Sequence, residues 1–120
     1  FTEKAPAAIG PYSQAIEANG MVFVSGQLPV DPATGEFAPG GVAEQTTQSF
    51  ENIKNILAEA GLTTAHIVKT TVFLADMALF ADMNAVYAKY FDGDYPARSA
   101  VAVKALPKGA LVEVECIAVR

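Results

Sequence analysis

Short apolar stretches bounded by turn residues, and two stretches whose apolar residues recur at helical spacing, set out a run of predicted elements. Tyr12–Ala18 reads as a strand, and Asn19-Gly20 supplies the residues that a tight type I′ hairpin turn needs. Met21–Ser25 returns as a second strand, ended by Gly26. Asp31-Pro32-Ala33-Thr34-Gly35 is a turn-rich loop, and Gly40-Gly41 frees the chain before the next element. From about Val42 to Ala60 the spacing is helical. Phe50, Ile53, Leu57 and Ala60 form an apolar stripe, Glu51 and Glu59 fall off it, and Gly61 is a natural stop. Val68–Leu74, β-branched and apolar, reads as a buried strand. Leu79–Phe91 is a second amphipathic helix, with Phe80, Met83, Tyr87 and Tyr90 or Phe91 inward. Arg98–Val103 and Leu111–Val119 close the chain as two strands joined around Pro107-Lys108-Gly109.

The order ββ-α-β-α-ββ favours an α+β sandwich in one domain, residues 1–120, with two helices over one sheet face. The other face then has no cover from within the chain. Hydrophobic residues make up 52% of the sequence and mean hydropathy is +0.28, high for 120 residues. A small domain has little interior in which to hide that surface, so self-association is expected.

Charge narrows the partners. The formal net charge is −5, and Lys4, Lys54, Lys69, Lys89, Lys104 and Lys108 are scattered. No basic stripe for nucleic acid results, and none is expected as a partner. A single cysteine, Cys116, excludes an intrachain disulfide framework and suits a reducing compartment. No apolar run approaches a membrane span and no signal-peptide pattern is present, so a cytoplasmic protein is expected.

The chain has two arginines, Arg98 and the last residue, Arg120. Arg98 sits where a loop feeds a strand, in Tyr95-Pro96-Ala97-Arg98-Ser99-Ala100. Its planar fork can hold a carboxylate or phosphate bidentately; it can equally pair with an acid or cover the surface. Alternation along the last strand puts Leu111, Glu113, Glu115, Ile117 and Val119 on one face, and Val112, Val114, Cys116 and Ala118 on the other. Two carboxylates among large apolar side chains fit an edge strand guarded against aggregation. They also fit a partly buried carboxylate with a partner. On that reading Glu115, deeper in the strand, is favoured, with Arg98 on a neighbouring strand as its partner.

Other chemistry is sparse. Cys116 reads as core packing, and His66 has no second ligand at metal spacing, so no metal site is expected. Gly26, Gly40-Gly41 and Gly109 match neither a Walker loop nor a dinucleotide fingerprint, and no cofactor is expected. Asp76, Asp82, Asp92 and Asp94 read as caps and solvated positions. Tyr12, Ser25 and Asn84 carry little signal individually.

Taken together, five segments closely resemble the RidA/YjgF family, the reactive-intermediate (2-iminobutanoate/2-iminopropanoate) deaminases. They are Ala8-Ile9-Gly10-Pro11-Tyr12-Ser13-Gln14-Ala15, Val24-Ser25-Gly26-Gln27-Leu28, Val68-Lys69-Thr70-Thr71-Val72-Phe73-Leu74, Tyr95-Pro96-Ala97-Arg98-Ser99 and Val114-Glu115-Cys116-Ile117-Ala118. The resemblance runs from about Ala5 to Arg120. It implies a chorismate-mutase-like α+β fold with a mixed sheet, assembled as a homotrimer with sites between subunits. It implies cofactor-free, metal-free hydrolysis of 2-imino acids to 2-keto acids and ammonia. By the same resemblance Arg98 would hold the substrate carboxylate and Glu115 would orient or activate water. The Ala100 backbone would contact the imine or keto group, while Tyr12, Ser25, Gly26 and Asn84 would line the pocket. Many bacterial members have cysteine where this chain has Ala100, which removes any thiol role there but leaves a backbone contact intact. Two other readings stand beside this one: an RNA-cleaving or translation-inhibiting protein, and a keto-acid-binding or chaperone-like trimer without turnover.

Overall fold

In the computed structural model, which describes residues 1–120, the predicted elements form in the predicted order. Strand β1 (Ala15–Ala18) turns into β2 (Met21–Gln27), followed by helix α1 (Val42–Glu59) and strand β3 (Ile67–Leu74). Helix α2 (Phe80–Ala88), strand β4 (Ala97–Ala102) and strand β5 (Val112–Val119) complete the chain. The first hairpin turns on Asn19 and Gly20, with φ of 52° and 75°, the doubly left-handed pair of a type I′ turn. The first strand is shorter than predicted. Residues before Ala15 instead pack as a strap held by Gln14, whose Nε2 donates to the carbonyls of Thr2, Ala5 and Pro6 and whose Oε1 accepts from the Thr2 N–H. The second helix is also shorter, ending at Ala88 rather than Phe91, and a 3₁₀ turn, Met77–Leu79, capped by Asp76, precedes it.

The sheet order is β1-β2-β5-β3-β4, with β3 and β4 parallel and the other neighbours antiparallel. The β2-α1-β3 and β3-α2-β4 connections step in the same direction across this mixed sheet. Crossovers of one hand stepping one way put their helices on one face, which accounts for α1 and α2 lying side by side. Between helices and sheet, Phe50, Ile53 and Leu57 of α1 and Met83 of α2 meet Val112, Val114, Cys116 and Ala118 of β5 and Val72 and Leu74 of β3 in one buried core.

Two expectations about the last strand need correction. Strand β5 is not at an edge; it is paired on one side with β2 and on the other with β3. Its charges therefore guard no free edge. Nor is Arg98 on a neighbouring strand, because β3 separates β4 from β5. The other sheet face is uncovered, as anticipated. Ile16, Phe23, Val101 and Val119 are exposed there at 56%, 40%, 45% and 37%. No helix is long and apolar enough to cross a membrane.

Candidate active site

The cross-strand register decides which side chains can meet. Arg98 is paired with Thr70, and Thr70 with Cys116, so all three face the helices. Glu115 is paired with Thr71, and Thr71 with Ser99, so Glu115 faces the open side. Arg98 and Glu115 of one protomer thus lie on opposite faces of the sheet and are not partners.

Arg98 is half-buried against α2. Its guanidinium carbon is 4.6 Å from the centre of the Tyr87 ring and 5.3 Å from that of Phe80. Its Nη1 donates to Asn84 Oδ1 at 2.7 Å, and it makes no other hydrogen bond. The chain's one ion pair joins Arg120 to Glu17 at 2.8 Å, which leaves Arg98 without an acid. Beside it opens a cleft of about 510 Å³ lined by Asn84, Tyr87, Tyr95, Pro96 and Arg98. Ala100 follows two residues along β4 on the same face, paired with Val72 and packed against the core. Arg98, Asn84 and Ala100 therefore form one group.

Tyr12, Ser25 and Gly26 form another. The register of β2 against β5 slips between Val24 and Gln27, so Ser25 and Gly26 together stand opposite Glu115. Ser25 ties the preceding loop to this bulge, its Oγ donating to the Ser13 carbonyl at 2.6 Å and its N–H to the Gln14 carbonyl at 3.0 Å. Tyr12, half-exposed, shares with Gly26 a wide groove that runs under the N-terminal strap. Gly26 itself lies against the Glu113 side chain, where a Cβ would stand 3.3 Å from Cγ and 3.0 Å from Cδ.

The two acids of β5 differ in a way that alternation does not show. Glu115 is exposed, whereas Glu113 is half-buried. Burial holds the Glu113 carboxyl above the ordinary glutamate range, and the Glu115 charge adds to the rise. The expectation that Glu115 is the deeper acid is thus reversed. Being further along the strand does not bury it, because the open face has no cover; Glu113 gains its shelter from the β2 bulge. Glu113 was legible only as a member of the pair, and no signal in the sequence places Gly26 against it. Tyr87 and Phe80 read as core positions, yet their faces also carry the guanidinium.

The remaining candidates behave as structural residues. Cys116 is buried, and burial, assisted by the Glu115 charge, pushes its thiol up to about 12, far from a reactive thiolate. His66 is half-buried and its Nδ1 accepts from the Thr63 N–H at 3.0 Å, capping a 3₁₀ turn. No group of three or more His, Cys, Asp or Glu could hold a metal ion.

Known proteins share this architecture along nearly its whole length. A RutC family protein of Pyrococcus abyssi is 55% identical over 118 residues, covering 98% of this chain and 93% of its own. A 2-iminobutanoate/2-iminopropanoate deaminase of Bos taurus is 53% identical over 119 residues, covering 99% and 87%. The crystal structure of E. coli TdcF with bound serine superposes with a TM-score of 0.95 at 49% identity, covering 100% of this chain and 96% of that one. The family model described as Endoribonuclease L-PSP matches residues 2–120, and the chain belongs to that family, RidA/YjgF.

Proposed function

We propose that the protein hydrolyses small 2-imino acids, 2-iminobutanoate and 2-iminopropanoate among them, to 2-keto acids and ammonia, in clefts between the subunits of a homotrimer. Relatives of similar identity carry the names RutC, deaminase and endoribonuclease, so the choice of reaction rests on the site. The observation that carries it is Arg98: a half-buried guanidinium with no acid partner, its carbon over two rings and its Nη1 on Asn84. Such a fork is ready for a carboxylate. The bovine relative's name and the serine held by TdcF agree with a small amino-acid-like anion as ligand.

Within one protomer the two groups lie on opposite faces of the sheet, too far apart for one small substrate. A neighbouring copy that brings its open face to the β4 edge would unite Arg98, Asn84 and Ala100 of one subunit with Tyr12, Ser25, Gly26 and an acid of the next. The exposed Ile16, Phe23, Val101 and Val119 give that face its reason to be covered.

In the united site, Arg98 fixes the substrate carboxylate, and the Ala100 backbone meets the reacting end. A β5 carboxylate takes a proton from water as its oxygen bonds to C2 of the protonated imine, giving a neutral carbinolamine. The same group returns the proton to nitrogen and takes the hydroxyl proton as the C–N bond breaks, so that ammonia leaves, a 2-keto acid remains, and the carboxyl group then gives its proton to the departing ammonia. Of the two acids we assign the step to Glu113 rather than Glu115, because Glu113 is sheltered beside Gly26 and its raised pKa makes it the stronger base once ionised.

Two measurements test the reading. A dehydratase generates 2-iminobutanoate, and its decay is followed with and without the protein; no acceleration ends the proposal. Separately, Arg98→Ala and Glu113→Ala chains are unfolded together and reassembled. Sites that straddle subunits regain about a quarter of wild-type activity in a random mixture, since one site in four draws both intact halves. A mixture as inactive as its parents defeats the intersubunit site. Cleavage of RNA without imine hydrolysis would favour the nuclease reading instead.

A further inference from the structure

We infer that the buried hydroxyl pair Thr70–Tyr87 is a positioning device for Arg98, setting the guanidinium's plane rather than merely filling the core; this rests on the carboxylate-binding reading of Arg98 above. Thr70 Oγ1 and Tyr87 OH are 2.7 Å apart, with the two residues 0% and 4% exposed. Thr70 is also the residue of β3 paired with Arg98. One rung of the sheet therefore carries both the guanidinium and the anchor of the ring on which it lies.

The ring is braced by two aromatic neighbours and by its hydroxyl. Phe50 meets it edge-on at 5.4 Å and Phe91 lies 5.0 Å away, while the hydroxyl bond stops it from turning or sliding along the helix. On this shelf the Arg98 carbon sits 4.6 Å from the ring centre, with Phe80 at 5.3 Å on a second side. Asn84 takes Nη1 from the same helix face, one turn before Tyr87. The Nε and Nη2 edges are left for a ligand carboxylate.

Core packing alone does not call for this pair. Valine and phenylalanine have nearly the same shapes and bring no polar atoms into a dry site, where each hydroxyl must find a partner. Burial accordingly raises the Tyr87 phenol above its ordinary range, with the Thr70 bond acting against the rise. What the hydroxyls add is direction: a ring held at one height under a cation that must present one edge.

The test is the double variant Thr70→Val with Tyr87→Phe, which removes both polar atoms together and leaves neither stranded. Its folding stability is measured by denaturant, its KM and kcat with the coupled imine assay, and its affinity for 2-ketobutyrate by calorimetry. We expect stability close to wild type, KM and the 2-ketobutyrate Kd raised about tenfold, and kcat changed less than about threefold, since a misaimed fork weakens binding before chemistry. A stable double variant with unchanged KM and Kd overturns the inference. A readout independent of activity comes from the chain's two arginines. With Arg120→Lys as background, the remaining arginine Nε–H resonance is that of Arg98, and two nearby rings shift it. Movement of that resonance in the double variant supports the shelf even if the protein hydrolyses no imine; an unmoved resonance rules the shelf out. If the double variant loses stability, Tyr87→Phe alone is read by the same resonance, with the same two outcomes.

Discussion

Gly26 leaves room for the Glu113 carboxyl: a methyl group at residue 26 would occupy the space in which Glu113 Cδ and Oε2 now lie. The obstructing atoms are the far end of a flexible side chain, so the chain can fold by swinging them aside. Gly26→Ala is therefore expected to keep the fold, with a destabilisation of about 1 kcal/mol. The displaced carboxyl no longer meets the substrate, and kcat/KM is expected to fall at least about tenfold, since small misplacements of a catalytic group are costly. Thermal unfolding and the imine assay on one preparation check both halves. Full activity in a stable Gly26→Ala protein would show that the contact has no bearing on catalysis.

The two β5 acids are separated by parallel substitutions. Glu113→Gln removes the sheltered base and keeps its shape, so imine hydrolysis is expected to slow by roughly 10²–10⁴-fold, with 2-ketobutyrate still bound. Glu115→Gln changes an exposed side chain whose influence on Glu113 is electrostatic, and its rate is expected to stay within about fivefold of wild type. The reverse ranking would return the base to Glu115, the residue that the sequence resemblance singles out.

The order of elements was legible because each announces itself locally. Asn19-Gly20 has only one comfortable turn to make, and the spacing of Phe50, Ile53 and Leu57 admits only a helix. The uncovered sheet face was legible too, as two helices cannot cover both sides. What stayed hidden is strand order. The chain's last strand inserts between β2 and β3, a long-range pairing without a local signature, and from that insertion follow the central place of β5 and the separation of Arg98 from Glu115. The candidate residues could be named from their motifs, but not sorted into the two groups that the structure separates. Their sorting depends on parity along paired strands and on a one-residue bulge at Ser25 and Gly26.

Arg98 separates charge from geometry. Arg98→Lys keeps a cation beside Asn84 but loses the planar fork and its contact with the Tyr87 and Phe80 rings. Arg98→Ala loses the cation as well. The alanine change is expected to cost on the order of 2–5 kcal/mol in kcat/KM, as for removal of one partner from a desolvated charge pair, with lysine recovering only a small part. Circular dichroism and the protein's size in solution are expected to be unchanged in both. Near-normal turnover by the two variants would reduce Arg98 to a surface cation packed on aromatic rings.

The raised carboxyl of Glu113 makes a prediction about stability that does not depend on the reaction. Its folded pKa lies above the value of about 4.5 that it has when exposed, for burial and then the Glu115 charge both disfavour ionisation. Between those two values the native state binds more protons than the unfolded chain, so its contribution to stability is complete below the unfolded pKa and is lost as pH rises through the folded one. At neutral pH the ionised Glu113 is then a cost, one that Glu113→Gln removes. Because the group is only half-buried, solvent screening keeps the gain to about 1 kcal/mol or less. Urea unfolding of wild type and Glu113→Gln from pH 4 to pH 8 reads the difference, with the variant expected to be the more stable at the upper end and the two to converge towards the lower. Glu115→Gln serves as the control, since it also lifts like-charge repulsion from Glu113 but leaves the burial in place. A stability difference that grows as pH falls would mean that Glu113 is stabilised as a carboxylate in the folded protein, and its assignment as the sheltered acid would have to be withdrawn.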